Sequence, residues 1–533
     1  MSRLKKRIVI FEPSGLRISV SQESSFLEAV RSVGLHLPSD CGGGGTCGKC
    51  SIVLRPAPEP TSIDEKYLSS NHLAQGFRLA CQHRVKFDTR AVIPEPRRKA
   101  KILIDGLSRL ESWEPDSGYE GQFGIAIDLG TTTIVAYLLA LDSGIQVSQL
   151  ASLNPQVIFG EDVISRITHA VREEHGSSDL KNKVVEEIDS LIESLVDVSK
   201  IILERISRIS IVGNTAMHHL LLGADVKSLG VSPYEPTIRE SIVTSSSELG
   251  LNSKHNIEIY LPPNIAGFVG GDTVGFILSQ RLDLTEQIIV GIDIGTNGEI
   301  VLSNRGDLSC CSAAAGPAFE GATIRYGMRG QDGAIEHVAI EDLEKPPEIT
   351  VIGDVTPRGI CGSAIVDTVS EMRRMGIIDK SGRLQKISSR ISEDGDFGLS
   401  YLLVEVPSKS LKISFNQKDV RQVQLAKAAI NSGVSLLLQE ADIRVKEIDS
   451  VMLAGAFGSY IRPESALGIG LLPPVDKELI GQVGNAAGEG AKALLLSSQA
   501  RKIASDLVSK IKYIELASHD DFQSIFLKST SFP

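Results

Sequence analysis

The sequence predicts a multidomain protein of mixed α+β and α/β class, in which a small module precedes a larger, duplicated body. Three observations support this fold class. The chain of 533 residues is too long for one ordinary hydrophobic core. A loop rich in cysteine and glycine, CGGGGTCGKC, lies within the first 50 residues. Two similar segments of the pattern DxGT follow at Asp128 and Asp293, and strand and helix patterns alternate between residues 122 and 500, as in layered α/β proteins.

The cysteine-rich loop predicts a metal–sulfur centre. Cys41, Cys47 and Cys50 are separated by five glycines, which let a backbone fold tightly around a small inorganic cluster and point its amides at the sulfurs. Cys81 can supply the fourth thiolate. A structural zinc knuckle is the alternative, but zinc sites of this kind usually use two separated CxxC pairs, and here the last cysteine stands alone. The spacing therefore favours an iron–sulfur cluster.

This motif resembles that of the [2Fe–2S] ferredoxins of the vertebrate and bacterial type, with five residues between the first two ligands. The predicted elements are also similar in order to a β-grasp ferredoxin. They are strands over residues 8–11, 17–20 and 51–54, a helix from Ser24 or Ser25 to about Val33, and a strand-like alternation over 85–93. The resemblance implies a ferredoxin domain over residues 1–94, followed by a proline- and charge-rich linker over 95–121.

Composition and cysteine usage narrow the class of protein. Apolar residues make up 42% of the chain and charged residues 23%, which is typical of a folded globular protein. No apolar run approaches the roughly 20 residues that span a bilayer, and the N-terminus has no signal-peptide pattern. Seven cysteines, four of them assigned to a cluster, indicate a reducing compartment, so we expect a cytoplasmic protein with neither membrane nor nucleic acid as a partner. Cys310, Cys311 and Cys361 are expected to be buried, inert thiols.

Two segments of the body predict a nucleotide site. Asp128 lies at the end of a predicted apolar strand, directly before a turn, and Asp293 lies at the end of a second such strand before a similar turn. A carboxylate can hold a magnesium ion through its waters, and glycine and threonine groups can cradle phosphate oxygens. A third strand, beginning at Val451, runs into small residues that let a backbone approach a flat ring. The candidate residues of the three turns are Gly130, Thr131 and Thr132; Gly295, Thr296 and Asn297; and Gly455, Ala456 and Gly458.

In this order the three segments resemble the phosphate-1, phosphate-2 and adenosine motifs of the superfamily of acetate and sugar kinases, actin and heat-shock chaperone ATPases. The resemblance implies a two-lobed, ribonuclease-H-like (actin-like) ATPase that closes on ATP, with a first lobe over residues 122–285 and a second over 286–533. No GKS/T loop is found in the sequence, so this is not a P-loop ATPase.

Five further segments are similar to those of reductive activators of corrinoid proteins, and the resemblance covers nearly the whole chain. The segments are NPQ at 154–156 with GEDVISR at 160–166, VGNTAMHH at 212–219, GPAFEG at 316–321, GICGS at 359–363 and VGNAAGEG at 483–490. Those ATPases re-reduce inactive cobalt in methyltransferase systems. The resemblance implies a [2Fe–2S] cluster on the four cysteines, ATP with Mg²⁺ as the second cofactor, and a corrinoid protein and an upstream electron donor as partners. A homodimer is left open.

Individual residues allow two interpretations each. Asp272 either positions a water or magnesium ion near the γ-phosphate or caps a helix that begins at Thr273; we group it with Asp128 and Asp293 as the catalytic set. Glu320 either touches the ribose or lies in the first turn of a helix, where a carboxylate is favourable; we favour the second. The pair His218 and His219 is expected to serve packing.

The predicted function is ATP-dependent reduction of cobalt(II) to cobalt(I) in a corrinoid protein, with one electron passing through the cluster. One alternative is a small-molecule kinase whose cluster senses redox state. Another is an activator of a radical 2-hydroxyacyl-CoA dehydratase. Those activators carry their cluster within the ATPase region, whereas the cysteines here lie in a separate module.

Overall fold

The computed structural model describes residues 6–12, 16–33, 35, 37, 39, 41–93, 106, 113–252, 256–406 and 411–533. The chain divides into two compact units. The first comprises Met1–Lys99 with Pro155–Gly176, and the second comprises Ala100–Asn154 with Ser177–Pro533. Within the described part of the chain, no helix combines the length and the apolar character needed to cross a membrane.

The N-terminal module is a five-stranded mixed sheet with one well-formed helix in its core. Its elements are β1 (Lys6–Glu12), β2 (Arg17–Ser21), α1 (Phe26–Ser32), β3 (Ser51–Arg55), α2 (Ser62–Tyr67), α3 (Ser70–Ala74), β4 (Phe77–Leu79) and β5 (Thr89–Val92). The strand order is β2-β1-β5-β3-β4, and β1 pairs with β5 in parallel. Residues of α1 such as Phe26 and Val30 are buried together with strand residues such as Phe11 and Ile52. This arrangement confirms the predicted β-grasp ferredoxin fold.

Helix α1 begins where the sequence predicted. The Ser25 hydroxyl accepts a hydrogen bond from the Glu28 N–H, and the Glu28 carboxylate accepts one from the Ser25 N–H. The predicted strand over 85–93 is shorter, because only Thr89–Val92 pairs in the sheet. Val85 is instead a buried core residue. The segment Pro13-Ser14-Gly15, whose residues predict a turn between the first two strands, lies outside the described residues.

The first part of the body contains six strands that form one sheet. The order is β10-β11-β9-β6-β7-β8, counting β6 (Phe123–Leu129), β7 (Thr133–Ala140), β8 (Gln146–Leu153), β9 (Ile206–Gly213), β10 (Ile242–Ser245) and β11 (Glu258–Leu261). The helices of this part are α5 (Gly176–Ser199), α6 (Thr215–Leu222), α7 (Ser246–Leu249) and α8 (Gly271–Gln280). Helix α4 (Val163–Arg172) lies between β8 and α5 in the sequence but belongs to the first unit.

The second part of the body forms another six-stranded sheet and two three-stranded sheets. Its strands are β12 (Ile288–Ile294), β13 (Gly298–Asn304), β14 (Asp307–Ala313), β15 (Ala334–Ala339), β16 (Glu348–Val351), β17 (Gly359–Ile360), β18 (Ile391–Glu393), β19 (Leu399–Val406), β20 (Leu411–Asn416), β21 (Ser450–Ala454), β22 (Ile480–Gly484) and β23 (Lys512–Tyr513). Its helices are α9 (Gly362–Arg374), α10 (Gln417–Glu440), α11 (Gly455–Gly458), α12 (Pro463–Gly468), α13 (Ala486–Leu496), α14 (Ser498–Val508) and α15 (Phe522–Ser529).

The two six-stranded sheets share one plan. Each starts with three antiparallel strands, β6-β7-β8 and β12-β13-β14, and the first strand of each also pairs in parallel with a later strand, β9 or β21. This repetition confirms the predicted duplicated, ribonuclease-H-like architecture. Because β6 and β12 occupy equivalent places, Asp128 and Asp293 reach equivalent positions near the ends of these strands.

Three helices pack in a shared core between the two sheets. Helices α8, α13 and α14 contribute apolar side chains to a cluster that also contains residues of β7 and β13. Helix α13 follows the strands of the second sheet in sequence, yet it contacts β6, β7 and β9 of the first. The predicted lobe boundary at residues 285 and 286 therefore places each six-stranded sheet in its own lobe. Helix α13, however, belongs to the second lobe in sequence and packs on the sheet of the first.

The end of the predicted linker is part of the body. Trp113 is buried within the same core as α8 and α13. The Asp116 carboxylate accepts hydrogen bonds from the N–H and hydroxyl of Ser498 (2.9 and 2.8 Å) and from Arg208 (2.8 Å). The connection predicted over 95–121 therefore ends before Trp113, and its residues 95–105 and 107–112 lie outside the described residues.

Candidate functional site

The four predicted cluster cysteines come together in the first module. Cys41, Cys47 and Cys50 lie in the loop between α1 and β3, and Cys81 lies in the turn after β4. Their thiols lie together two by two, with Cys47 beside Cys41 and Cys50 beside Cys81. Four cysteines that pair in this way match a [2Fe–2S] cluster, in which two ligands bind each iron.

The backbone around these thiols is shaped for anionic sulfur. The Cys41 sulfur accepts hydrogen bonds from the backbone amides of Thr46, Cys47 and Gly43, and Gln82 Nε2 donates to Cys81 Sγ at 3.2 Å. Gly45 has a φ of +75°, and a Cβ there would lie 2.6 Å from Gln82 Nε2. Amides and small residues of this kind stabilise the negative charge of a bound cluster.

A structural zinc site needs four ligands around one ion. The paired arrangement of the cysteines therefore favours the two-iron cluster over the zinc knuckle. The other three cysteines, Cys310, Cys311 and Cys361, are buried as predicted.

A buried carboxylate that the sequence interpretation missed supports the Cys81 segment. Asp64 is fully buried and accepts hydrogen bonds from Leu79 N (2.8 Å), Thr61 N (2.7 Å) and His83 Nε2 (2.6 Å). Although burial opposes ionisation, the hydrogen bonds from His83, Leu79 and Thr61 lower the pKa of Asp64 to about 2. The carboxylate thus ties the residues on either side of Cys81 to the start of α2. The pattern Thr61-x-x-Asp64 was a visible capping signal.

The three predicted catalytic aspartates converge on one cleft of the body. Burial, with a smaller contribution from the charge of Asp272, raises the pKa of Asp128 and of Asp293 to about 7. Burial also raises the pKa of Asp272 to about 6. Three carboxylates that oppose one another's ionisation favour a bound cation, because the cation stabilises their charged forms. The cleft is therefore suited to a metal-bound polyphosphate.

The position of Asp272 excludes the predicted capping role. Helix α8 begins at Gly271 with Gly270 as its N-cap, so Asp272 is inside the first turn and is not the capping residue. Its carboxylate accepts a hydrogen bond from the N–H of Thr273 at 2.7 Å and lies close enough to Asp128 and Asp293 to raise their pKa values. This location supports the interpretation that places Asp272 in the ligand site.

Glu299 is a fourth carboxylate of the cleft that the sequence interpretation did not single out. It lies directly opposite Asp293 in the antiparallel pairing of β12 and β13, so both side chains are on the same face of the sheet. Burial, together with the charges of Asp272 and Asp293, raises the pKa of Glu299 well above its usual range. The register of the predicted hairpin could have indicated this neighbour.

The two predicted phosphate loops form tight turns. Gly130 N donates to Thr133 O and Gly295 N donates to Asn297 O, both at 2.9 Å. A Cβ on Gly130 would lie 2.8 Å from Thr133 O, so only glycine fits that turn without a shift. Thr131 and Thr132 follow Asp128 in the first of these turns, and Thr296 follows Asp293 in the second.

Three asparagines hold the first phosphate loop and its aspartate. Asn154 Nδ2 donates to Gly130 O (2.8 Å), Asn214 Nδ2 to Thr131 Oγ1 (3.0 Å), and Asn485 Nδ2 to Asp128 Oδ2 (2.9 Å). All three belong to the segments that carry the family resemblance, but the sequence interpretation gave them no role. The structure thus supplies a physical reason for these segments: they position the loop.

The third predicted segment lies against the second phosphate loop. Strand β21 pairs in parallel with β12 and places Ala454 beside Asp293. Gly455, which follows, has a φ of +80°, and a Cβ there would lie 2.3 Å from Asp293 Oδ1. Gly455 opens α11, which contains Ala456 and ends at Gly458. The three predicted segments therefore meet in one place.

The two histidines serve packing, as predicted. His218 and His219 are buried in α6, where His218 Nε2 is 3.2 Å from Ile211 O and His219 Nδ1 is 2.7 Å from Thr215 O. Burial lowers the pKa of His218 to about 4, with a smaller effect of the neighbouring His219. Both rings are engaged by the backbone.

Together, the ferredoxin module and the duplicated body define an iron–sulfur protein fused to an ATPase of the actin-like class. Comparisons with known proteins agree. A model of the 2Fe-2S iron-sulfur cluster binding domain matches residues 9–86. A model of the RACo middle region matches residues 123–285, and a model of the C-terminal domain of RACo, the ASKHA domain, matches residues 287–533.

Relatives match over most of the chain. The corrinoid activation enzyme RamQ of Eubacterium limosum is 31% identical over 98% of this chain and 99% of its own. A [Co(II) methylated amine-specific corrinoid protein] reductase of Methanosarcina barkeri is 24% identical over 77% of each chain. The structure of a reductive activator for corrinoid, iron-sulfur protein superposes with a TM-score of 0.69 at 29% identity, covering 99% of this chain and 98% of that one.

The chain belongs to the RACo family of corrinoid activation enzymes, which confirms the resemblance seen in the sequence. It is an enzyme whose cofactors are a [2Fe–2S] cluster and ATP. The roles of the individual cysteines and cleft residues stay predictions.

Proposed function

We propose that this enzyme uses ATP to drive the one-electron reduction of cobalt(II) to cobalt(I) in a corrinoid protein of a methyltransferase system. The observation that carries the proposal is the match over nearly the whole chain to an enzyme named for corrinoid activation. A second relative is named as a reductase of a Co(II) corrinoid protein. We infer that this enzyme has two partners, namely a corrinoid protein as electron acceptor and an upstream protein as electron donor.

The energetics explain why a nucleotide is needed. A [2Fe–2S] centre of ferredoxin type lies near about −400 mV, and the family resemblance implies that the cobalt(II)/cobalt(I) couple lies lower. Each 100 mV of uphill one-electron transfer costs about 2.3 kcal/mol. ATP can offset this cost only by favouring a docked state in which cobalt accepts the electron more readily.

The residues divide this work between the two parts of the chain. Cys41, Cys47, Cys50 and Cys81 would hold the cluster, which supplies the one-electron chemistry. In the cleft, Asp128 and Asp293 would organise Mg–ATP, because a magnesium ion stabilises the ionised carboxylates that otherwise repel one another. Asp272 would orient a water molecule or the metal ion.

The test is an anaerobic assay of cobalt reduction. Reduced, cluster-loaded enzyme is mixed with cobalt(II) corrinoid proteins from several methyltransferase systems, and the absorbance of cobalt(I) is followed with and without Mg–ATP. We expect cobalt(I) to form only with Mg–ATP. Cobalt(I) formation at the same rate without ATP would contradict the proposal. ATP turnover without cobalt reduction with any of these proteins would favour the kinase or dehydratase-activator alternatives.

A further inference from the structure

Glu320 connects the two phosphate loops. Its Oε1 accepts a hydrogen bond from the Thr296 hydroxyl, and its Oε2 accepts one from the Thr132 hydroxyl at 3.4 Å. Thr132 belongs to the loop after β6, and Thr296 belongs to the loop after β12. A single carboxylate therefore spans the hydroxyls of both lobes.

The interpretation of Glu320 as a favourable residue of a helix is wrong. Residues 317–321 form hydrogen-bonded turns, with Gly321 N donating to Ala318 O (3.0 Å) and Ala322 N to Pro317 O (3.1 Å). Because no helix begins there, no helix dipole accounts for the carboxylate. Its two threonine contacts give it another role.

The residues on either side fix the position of Glu320. Phe319 is 1% exposed and stacks on Phe457 of α11, with ring centroids 4.9 Å apart. Gly321 has a φ of +78°, and a Cβ there would lie 2.7 Å from Met328 N. The backbone is thus anchored by a buried ring on one side and by a glycine-only turn on the other. The carboxylate is held at the junction of the loops.

The same two hydroxyls belong to the loops predicted to cradle phosphate oxygens. A carboxylate and a phosphate are both anionic acceptors, so they compete for these donors. Four further carboxylates, those of Asp128, Asp272, Asp293 and Glu299, surround the cleft. The negative charge of the Glu320 carboxylate therefore opposes the approach of the triphosphate by repulsion, in addition to competing with it for the two hydroxyls.

We propose that Glu320 is a latch that satisfies Thr132 and Thr296 until a phosphate group of the nucleotide takes its place. Displacement would release both loops together, because one side chain holds both hydroxyls. The latch would also distinguish nucleotides by their phosphate chain and not by their base or ribose. This inference rests on the proposed function of the cleft as an ATP site.

The test compares nucleotide affinities of Glu320→Gln and wild-type enzyme by calorimetry with Mg–ATP, Mg–ADP and adenosine. The substitution keeps the size of the side chain and one acceptor oxygen but removes the charge. We expect ATP to bind roughly five-fold more tightly, because a neutral acceptor holds the hydroxyls about half as strongly as a carboxylate. Adenosine, which has no phosphate, should bind with unchanged affinity.

Two more variants separate the effect of the charge from that of the side-chain length and provide a control. Glu320→Asp keeps the charge but is one methylene shorter, so it can reach only one loop, and we expect a smaller gain in ATP affinity than for Glu320→Gln. Glu336→Gln removes a carboxylate from β15 of the same lobe and should leave ATP affinity unchanged. The visible spectrum of the cluster and the far-ultraviolet circular dichroism report whether each variant is folded.

The outcomes separate the latch from the proposed function. If the wild-type enzyme bound ATP and Glu320→Gln bound it no more tightly, the latch would be overturned alone. Weaker binding of both ATP and adenosine by Glu320→Gln would also overturn it and would favour contact with the ribose. A wild-type enzyme that bound no ATP would overturn the proposed function and the latch together.

Discussion

Replacing Gly455 by alanine should slow ATP turnover and cobalt reduction without unfolding the enzyme. The new Cβ would lie 2.3 Å from Asp293 Oδ1, whereas ordinary contacts begin at 3.4 Å. The carboxylate must therefore move by about 1 Å, and a displacement of that size in a reacting site can cost about 100-fold in rate. The φ of +80° adds strain, typically about 1–2 kcal/mol for a residue other than glycine.

The assay measures ATP turnover and cobalt(I) formation in parallel with thermal unfolding. For Gly455→Ala we expect a loss of roughly 100-fold in both rates and a fall of only a few degrees in Tm. Gly481→Ala is the matched control, since Gly481 lies on the neighbouring strand β22 and a Cβ there meets no atom within 4 Å. Unchanged turnover in Gly455→Ala, or an equal loss in Gly481→Ala, would refute the reasoning.

Three further predictions test other parts of the molecule. Asp293→Asn should abolish ATP-dependent cobalt reduction and leave the visible spectrum of the cluster intact; loss of both would contradict the division of labour between cleft and cluster. Asp64→Ala should destabilise the ferredoxin module by about 3–5 kcal/mol, because His83, Leu79 and Thr61 lose a buried partner; calorimetry should show a lower Tm for that module, and an unchanged Tm would count against this account. The folded pKa of Asp128 and of Asp293 is about 7, above the ordinary value of 3.8. Between these two values the folded state binds more protons than the unfolded state. The free energy of unfolding should therefore fall as pH rises from about 4 to about 7. Thermal scans without nucleotide should show this fall, which Mg–ATP should reduce; a pH dependence equally steep in Asp128→Asn would refute the assignment.

The sequence predicted the parts of the sites that are local. The cysteine loop and the two DxGT turns are short segments in which the chemistry requires particular residues at fixed spacing. It did not predict partners brought together by tertiary packing. Asn485 reaches Asp128 across 357 positions of the chain, and Glu320 reaches Thr132 across 188. No local pattern carries such a contact, because an asparagine or a glutamate beside a turn is common in any protein.

The same limit explains two features of the domain organisation that the sequence did not show. Trp113 lies in a stretch whose prolines and charges are typical of exposed chain, but its ring is 4% exposed in the core beside α8 and α13. Helix α13 has the composition of any buried helix, and only the packing shows that it returns to the first sheet. Apolar residues in a sequence indicate burial but do not indicate which core they join.

The acidic cleft is linked mechanically to the helices between the two sheets. Asp272 lies in the first turn of α8, and Asn485, which holds Asp128, is the N-cap of α13. These helices meet where a Cβ on Gly490 would lie 2.1 Å from Gly275 O. Sliding one helix along the other would bring larger side chains into that contact, so the close glycine crossing opposes such a movement. If a nucleotide fixes Asp128 and Asp272, as we propose for the cleft, it should also restrain α8 and α13 relative to each other, and ATP would then have a route from the cleft to the packing of both lobes.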